Sequence, residues 1–175
     1  TAAVEHPKIP GLFLLTAPAR PHGRPVTEIQ MADLLREVRR RFDFCLLDAP
    51  AGLGRGFQLA TCAADRCVVV TTADASSLRD AQRTVEELYR IRQVHLVMNR
   101  IQPRLLRQLR TTIDDAMDAA GLPLIGVIPE DRRVILAANL GRPLILEGRQ
   151  GAANACLNIA KRCLLYTSPS PRDRS

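Results

Sequence analysis

Residues 42–57, FDFCLLDAPAGLGRGF, constrain the fold more than any other stretch of the chain. Phe44, Cys45, Leu46 and Leu47 form an unbroken apolar run, which suits a parallel strand buried on both faces. Asp48 stands where such a strand would leave the core. Ala49, Pro50, Ala51 and Gly52 then turn the chain sharply, and these small or φ-restricted residues let backbone N–H groups approach a ligand. A hydrophobic strand, an acid and a tight glycine turn commonly hold a phosphate and its magnesium. On these residues alone three readings stay open. Asp48 is a Walker B aspartate that orients the water shell of magnesium, or part of a dinucleotide loop, or an ordinary strand-to-loop aspartate. The dinucleotide fingerprint needs G-x-G-x-x-G, whereas Gly52, Gly54 and Gly56 are spaced G-x-G-x-G.

The rest of the chain decides whether that stretch has a sheet to belong to. Residues 12–15 read as a short buried strand, ended by the loop of residues 17–25 with its three prolines. Residues 1–11 show no clear element. Thr27 and Gln30 make a capping box for a helix whose apolar positions are Met31, Leu34, Leu35 and Val38. After the glycine turn come a short helix over residues 57–64 and a strand within residues 66–72. The polar loop of residues 71–77 follows, where Ser77 with Asp80 can box a helix carrying Leu78, Ala81, Val85 and Leu88. Residues 94–98 form the next strand, closed by Asn99 and Arg100. One helical stripe then runs from Leu106 to Ala120 and stops at Gly121 and Pro123. Residues 124–128 are a further strand that ends in Pro129, Glu130 and Asp131, and Asp131 can cap a short helix with Val134, Ile135 and Ala138. A last stripe contains Ala152, Cys156, Ile159 and Cys163.

Strands alternating with helices imply an α/β fold with a mostly parallel sheet and helices on both faces. In such sheets ligands bind beyond the carboxyl ends of the strands. Asp48, the 71–77 loop, Asn99 and the 129–131 loop should therefore share one edge. Asn99 also has a bland reading as a turn former.

The length of 175 residues suits one domain, and no run approaches the ~18 apolar residues of a membrane span. The five cysteines form no C-x-x-C pair and fall mostly at apolar positions, which points to buried thiols in a reducing compartment and away from disulfides or zinc. The net charge of +7 invites a nucleic-acid reading, but the positive residues are spread over nearly every helix and aromatic residues are few.

Four motifs in register resemble one family. DAPAG at residues 48–52, VVVTTADASSLRDA at 68–81, VMNRI at 97–101 and LIGVIPED at 124–131 are similar to the MinD-type cell-division ATPases, within the deviant-Walker P-loop group that includes ParA. The resemblance covers residues 9–165 and implies a P-loop NTPase-like fold. By position it makes Asp48 the Walker B acid, holding magnesium through water, and Gly52 a switch-loop residue whose N–H faces the γ-phosphate. It makes Asn99 the reader of adenine through its amide, with Pro129 and Asp131 on the other side of the base. Ser76, Ser77 and Arg79 fall in a partner-facing or dimer-facing loop.

For a complete protein the resemblance implies magnesium-dependent ATP hydrolysis, a homodimer formed with ATP, and division-site regulatory partners. It also implies a cytoplasmic protein associating reversibly with the anionic inner face of the cell membrane, in placement of the division septum. The ParA-like alternative is a partition ATPase whose dimer binds DNA without sequence preference. A third alternative is an interaction module that kept the fold without the enzyme.

One departure bears on activity. The family's glycine-rich phosphate loop with its lysines and threonine is found nowhere in these residues, and neither Lys8 nor Lys161 lies in such a context. That loop, its strand and the first switch segment are expected to lie before Thr1, so that residues 1–165 are a partial ATPase domain. Residues 166–175, YTSPSPRDRS, resemble translated sequencing-adapter sequence and are expected to be a disordered, non-native tail, with a phosphorylatable Ser-Pro tail as the alternative. The family's membrane-targeting amphipathic helix is not seen.

Overall fold

The computed structural model describes residues 3–16, 25–109 and 112–165, so the 17–24 part of the proline loop and the 166–175 tail lie outside the described residues. The chain divides into two compact units, Thr1–Leu47 and Asp48–Ser175.

In the first unit, β1 (Val4–Glu5) pairs antiparallel with β2 (Phe13–Leu14), with Val4 opposite Leu14. The His6 N–H donates to the Leu12 carbonyl at 2.7 Å, closing the connection. The sequence led us to expect a buried strand at residues 12–15 and nothing before it. Only two residues form the ladder, and Leu14 is 65% exposed. Helix α1 (Glu28–Arg39) starts as read. Thr27 Oγ1 accepts from the Gln30 N–H at 3.2 Å, and Gln30 Oε1 accepts from the Thr27 N–H at 3.0 Å. Phe13 and Phe42 meet edge to face at 5.3 Å.

Residues 44–47 are the main difference. No described strand pairs with them, and Leu46 is 96% exposed. Their composition suits a doubly buried strand, but a strand exists only as a member of a ladder, and composition says nothing about whether a neighbour is present.

The second unit holds the parallel sheet, in the order β3-β4-β5. Its strands are β3 (Arg66–Thr71), β4 (Gln93–Ile101) and β5 (Leu124–Pro129). The helices are α2 (Arg55–Thr61), α3 (Ala75–Glu87), α4 (Pro103–Leu109), α5 (Ile113–Ala120), α6 (Arg132–Asn139) and α7 (Gly151–Leu165). A 3-10 turn over Leu144–Leu146 lies between the last two helices.

Side-chain alternation along β4 builds two cores. Leu96 and Met98, both fully buried, join Val69 of β3, Ala81 and Leu88 around α3, and Ala116 and Ala120 of α5. Val97 faces the other way, opposite Gly126 of β5, and there α7 packs with Ile159 directly over Gly126. The expected α/β class with helices on both faces is observed. On the α7 side of β3, Val68 and Val70 stay 41% and 58% exposed.

Three local readings change. The stripe expected to run unbroken to Ala120 is two helices, because Thr112 and Asp115 form a capping box that starts α5 afresh. Asp74, not Ser77, caps α3, since its carboxylate accepts from the Ser77 N–H at 3.0 Å and also from the Ser76 and Thr72 hydroxyls. None of the five cysteines forms a disulfide, and Cys45, Cys62 and Cys156 are exposed against the expectation of buried thiols, because helix and loop positions place them outward. Cys67 is half-buried, and burial raises its thiol pKa.

Candidate functional site

Parallel strands bring their carboxyl ends to one edge, and the ladder fixes the register there: Thr71 of β3 lies beside Met98 of β4, and Met98 beside Val127 of β5. Beyond this row the β4–β5 register shifts, with Ile101 opposite Pro129, so β4 carries one residue more than its partner. The bulge is Asn99–Arg100. Arg100 takes φ +56°, a left-handed conformation that costs a non-glycine residue about 1 kcal/mol.

Local bonds hold that conformation. Asn99 Oδ1 accepts from the Arg100 N–H at 2.9 Å, and Arg100 Nε donates to Glu130 Oε2 at 3.3 Å. The Glu130 N–H donates to the Ile101 carbonyl at 3.1 Å. Asn99 and the 129–131 loop therefore stand side by side, as the sequence indicated. An amide oxygen has two lone pairs and the NH2 two donors, so one local bond leaves Asn99 able to donate and accept toward a ligand edge.

Asp131 caps α6 through the Arg133 N–H at 3.0 Å. Its carboxylate also accepts from the Arg133 guanidinium, Nη2 at 2.7 Å, and from the Ala152 N–H at 3.1 Å. The Arg133 side chain first, then these two N–H groups, hold the carboxyl well below the usual range. Asp74, at the same edge, is also held well below that range, first by the Thr72 hydroxyl and then by the Ser77 N–H and the Ser76 hydroxyl.

Asp48 and Gly52 lie in an exposed segment without regular structure that precedes α2. Gly52 has φ +84°, which a side chain adopts only with strain, and Pro50 packs against Gly56 so tightly that a Cβ there would collide with its ring. The turn is thus real, but among the described residues no hydrogen bond or ladder pairing ties Asp48 or Gly52 to Asn99 or residues 129–131. Ser76 and Ser77 are engaged in the Asp74 cap, whereas Arg79 is exposed. No cluster of three His, Cys, Asp or Glu side chains that could hold a metal occurs among the described residues. A single exposed carboxylate such as Asp48 suits magnesium only where phosphate oxygens complete the octahedron.

Arg100, Arg133 and Gly151 were not singled out from the sequence. Arginine carries no preference for left-handed backbone, and Arg133 joins the neighbouring Asp131 to the Gln150 carbonyl 17 residues along the chain, so no local pattern marked the link. A cavity of about 510 Å³ bordered by Leu88, Gln93, Val94 and Pro123 sits at the opposite, amino-terminal ends of the strands, away from this edge.

No protein-family model matches the chain. Curated relatives do. The chain is 32% identical over 165 residues to the septum site-determining protein MinD of Synechocystis sp., covering 92% of this chain and 62% of the relative. It is 33% identical over 162 residues to MinD of Bacillus subtilis, covering 90% and 60% respectively. The chain is a homologue of the MinD septum site-determining proteins.

Solved structures agree. The MinD cell division protein of Aquifex aeolicus superposes with a TM-score of 0.76 at 28% identity, over 82% of this chain and 63% of that one. MinD within a MinC:MinD complex from the same organism gives 0.75 at 27%, over 85% and 63%. The fold is also that of a Pyrococcus horikoshii MinD complexed with Mg-ADP, TM-score 0.68 at 23% identity over 78% of this chain and 56% of that one. This MinD homologue spans about six tenths of the length of its relatives. No helix among its described residues is long and apolar enough to cross a membrane.

Proposed function

We propose that this MinD homologue carries the base-reading side of an ATPase site. The observation that carries this reading is the side-by-side placement of Asn99 and the 129–131 loop at the carboxyl edge of the sheet, with Ile101 opposite Pro129. The Asn99 amide matches the paired donor and acceptor edge of adenine, and the 129–131 loop lines the other side of the base. Asp48 serves as the acid that orients magnesium's water shell, and the backbone at Gly52 faces the γ-phosphate. Magnesium held there through water would neutralise charge on bound phosphates.

The phosphate grip itself comes from residues other than these 175. Most of the hold on a triphosphate in such sites is made by successive backbone N–H groups and a lysine. The chain by itself therefore binds ATP weakly and does not hydrolyse it. The whole protein dimerises around nucleotide, attaches reversibly to an anionic membrane surface, and acts with division-site regulators in placing the septum. The Aquifex aeolicus MinC:MinD complex supports a partner of that kind.

The test is a titration of the isotope-labelled chain with adenosine and with guanosine, followed by NMR. Adenosine should shift the amides of Asn99, Arg100 and Glu130. Asn99→Ala should weaken adenosine by about 1 to 3 kcal/mol, the cost of one unmet hydrogen-bonding pair, and leave guanosine little changed. Equal weakening of both would sink the assignment.

A further inference from the structure

Asp131 was expected to line the base, yet its carboxylate faces the protein. Oδ1 accepts from the Arg133 N–H and from Arg133 Nε, both at 3.0 Å, while Oδ2 accepts from Arg133 Nη2 at 2.7 Å and the Ala152 N–H at 3.1 Å. A carboxylate has about four lone-pair sites, and here all of them are used. The side chain is only 11% exposed. We infer that Asp131 is a positioning residue: it clamps the base loop to the first turn of α7, and Arg133 and Gly151 complete the clamp without touching a ligand.

An N-cap requires one bond from the first turn of its own helix. Here three more are made, and one of them reaches 21 residues along the chain to Ala152. Arg133 ties the same two segments a second time, because its Nη2 also donates to the Gln150 carbonyl at 2.9 Å. The planar guanidinium presents its donors in a fixed fork, which fits a carboxylate and a carbonyl together.

Gly151 gives independent support. Its φ is +53°, and a Cβ there would lie 2.5 Å from Asp131 Oδ2 and 2.6 Å from Arg133 Nη2. Glycine is required both by the turn and by the clamp it leaves room for. The far end of the clamp is anchored, since Ala152 and Ala153 are 1% and 2% exposed. Its near end continues through Glu130, whose N–H donates to the Ile101 carbonyl one residue beyond the Asn99–Arg100 bulge. A disturbance at Arg133 should thus travel to the base edge.

The inference rests on the base-site reading for its functional consequence, and the experiment separates the two. Asp131→Asn, Arg133→Ala, Arg133→Lys and the double variant Asp131→Asn/Arg133→Ala are compared in the full chain. The readouts are amide exchange at Ala152 and Glu130, and NMR affinity for adenosine and for purine riboside, which lacks the 6-amino group. Both nucleosides are uncharged, so loss of the carboxylate charge does not itself alter their attraction.

The clamp predicts that each single variant weakens both nucleosides by the same factor, about tenfold, and speeds exchange at Ala152 and Glu130 together. The double variant should be no worse than either single one, and lysine should not rescue. Weakening of adenosine alone in Asp131→Asn would show direct reading of the amino group and overturn the inference. So would wild-type affinity and wild-type Glu130 exchange in Arg133→Ala. If the unaltered chain binds neither nucleoside, the base-site reading fails and exchange alone decides: acceleration at Ala152 without Glu130 refutes the clamp.

Discussion

Replacing Gly126 by alanine tests how α7 is docked on the sheet. Gly126 sits in β5 opposite Val97, and a Cβ built on it would collide with the side chain of Ile159, reaching Cγ1 and not merely the chain end. Overfilling a packed contact costs about 1 to 3 kcal/mol. Against this, alanine restricts the unfolded chain and returns about 0.4 to 1 kcal/mol where the backbone tolerates it, as it does here with no positive φ at this glycine. The steric term is larger, so we expect a net loss of about 1 to 2 kcal/mol, roughly five- to thirtyfold in the unfolding constant. Urea unfolding followed by far-UV circular dichroism measures it, with an unchanged denaturant slope as the sign that the native surface is kept. Ile159→Ala removes the colliding atoms, so in the double variant the Gly126→Ala penalty should shrink to about zero. A neutral or stabilising Gly126→Ala, or strictly additive effects, would show that α7 does not lie on β5 in this way.

Two further predictions concern the carboxyl edge of the sheet. Arg100 occupies left-handed backbone, so Arg100→Gly should be more stable than Arg100→Ala by about 1 kcal/mol in the same assay; equal stabilities would mean the bulge is not held as described. Asp74 has its folded pKa lowered, so its contribution is complete above the unfolded carboxylate value of about 4 and is lost as the pH falls below it toward the folded value. Urea midpoints measured from neutral pH downward should therefore fall in acid, and Asp74→Asn should show a shallower fall; parallel curves would refute the linkage.

What the sequence revealed follows from what each pattern measures. Apolar runs at Cys67–Val70, Val94–Met98 and Leu124–Ile128 became the three paired strands, because those segments are neighbours and bury one another. The same kind of run at Phe44–Leu47 did not, because hydrophobicity reports a demand for burial and not the presence of a partner. Caps that depend on residues two or three apart were readable at Thr27 and Asp131, and the Thr112–Asp115 box was equally present but was hidden beneath a continuous helical stripe. Order along a parallel sheet placed Asn99 beside residues 129–131 correctly. The bulge at Arg100 and the inward turn of the Asp131 carboxylate depend on a register shift and on a contact 21 residues away, and no local pattern encodes either.

The central claim is that this chain reads the base and does not grip the phosphates. The direct measurement is calorimetry of the chain as it stands with adenosine and with ATP plus magnesium, accompanied by an assay of phosphate release from ATP beside an Asp48→Ala control. The account predicts similar weak affinities for the two ligands and no release above background. ATP binding at least about tenfold tighter than adenosine, a difference of about 1.4 kcal/mol, or release that Asp48→Ala abolishes, would contradict it.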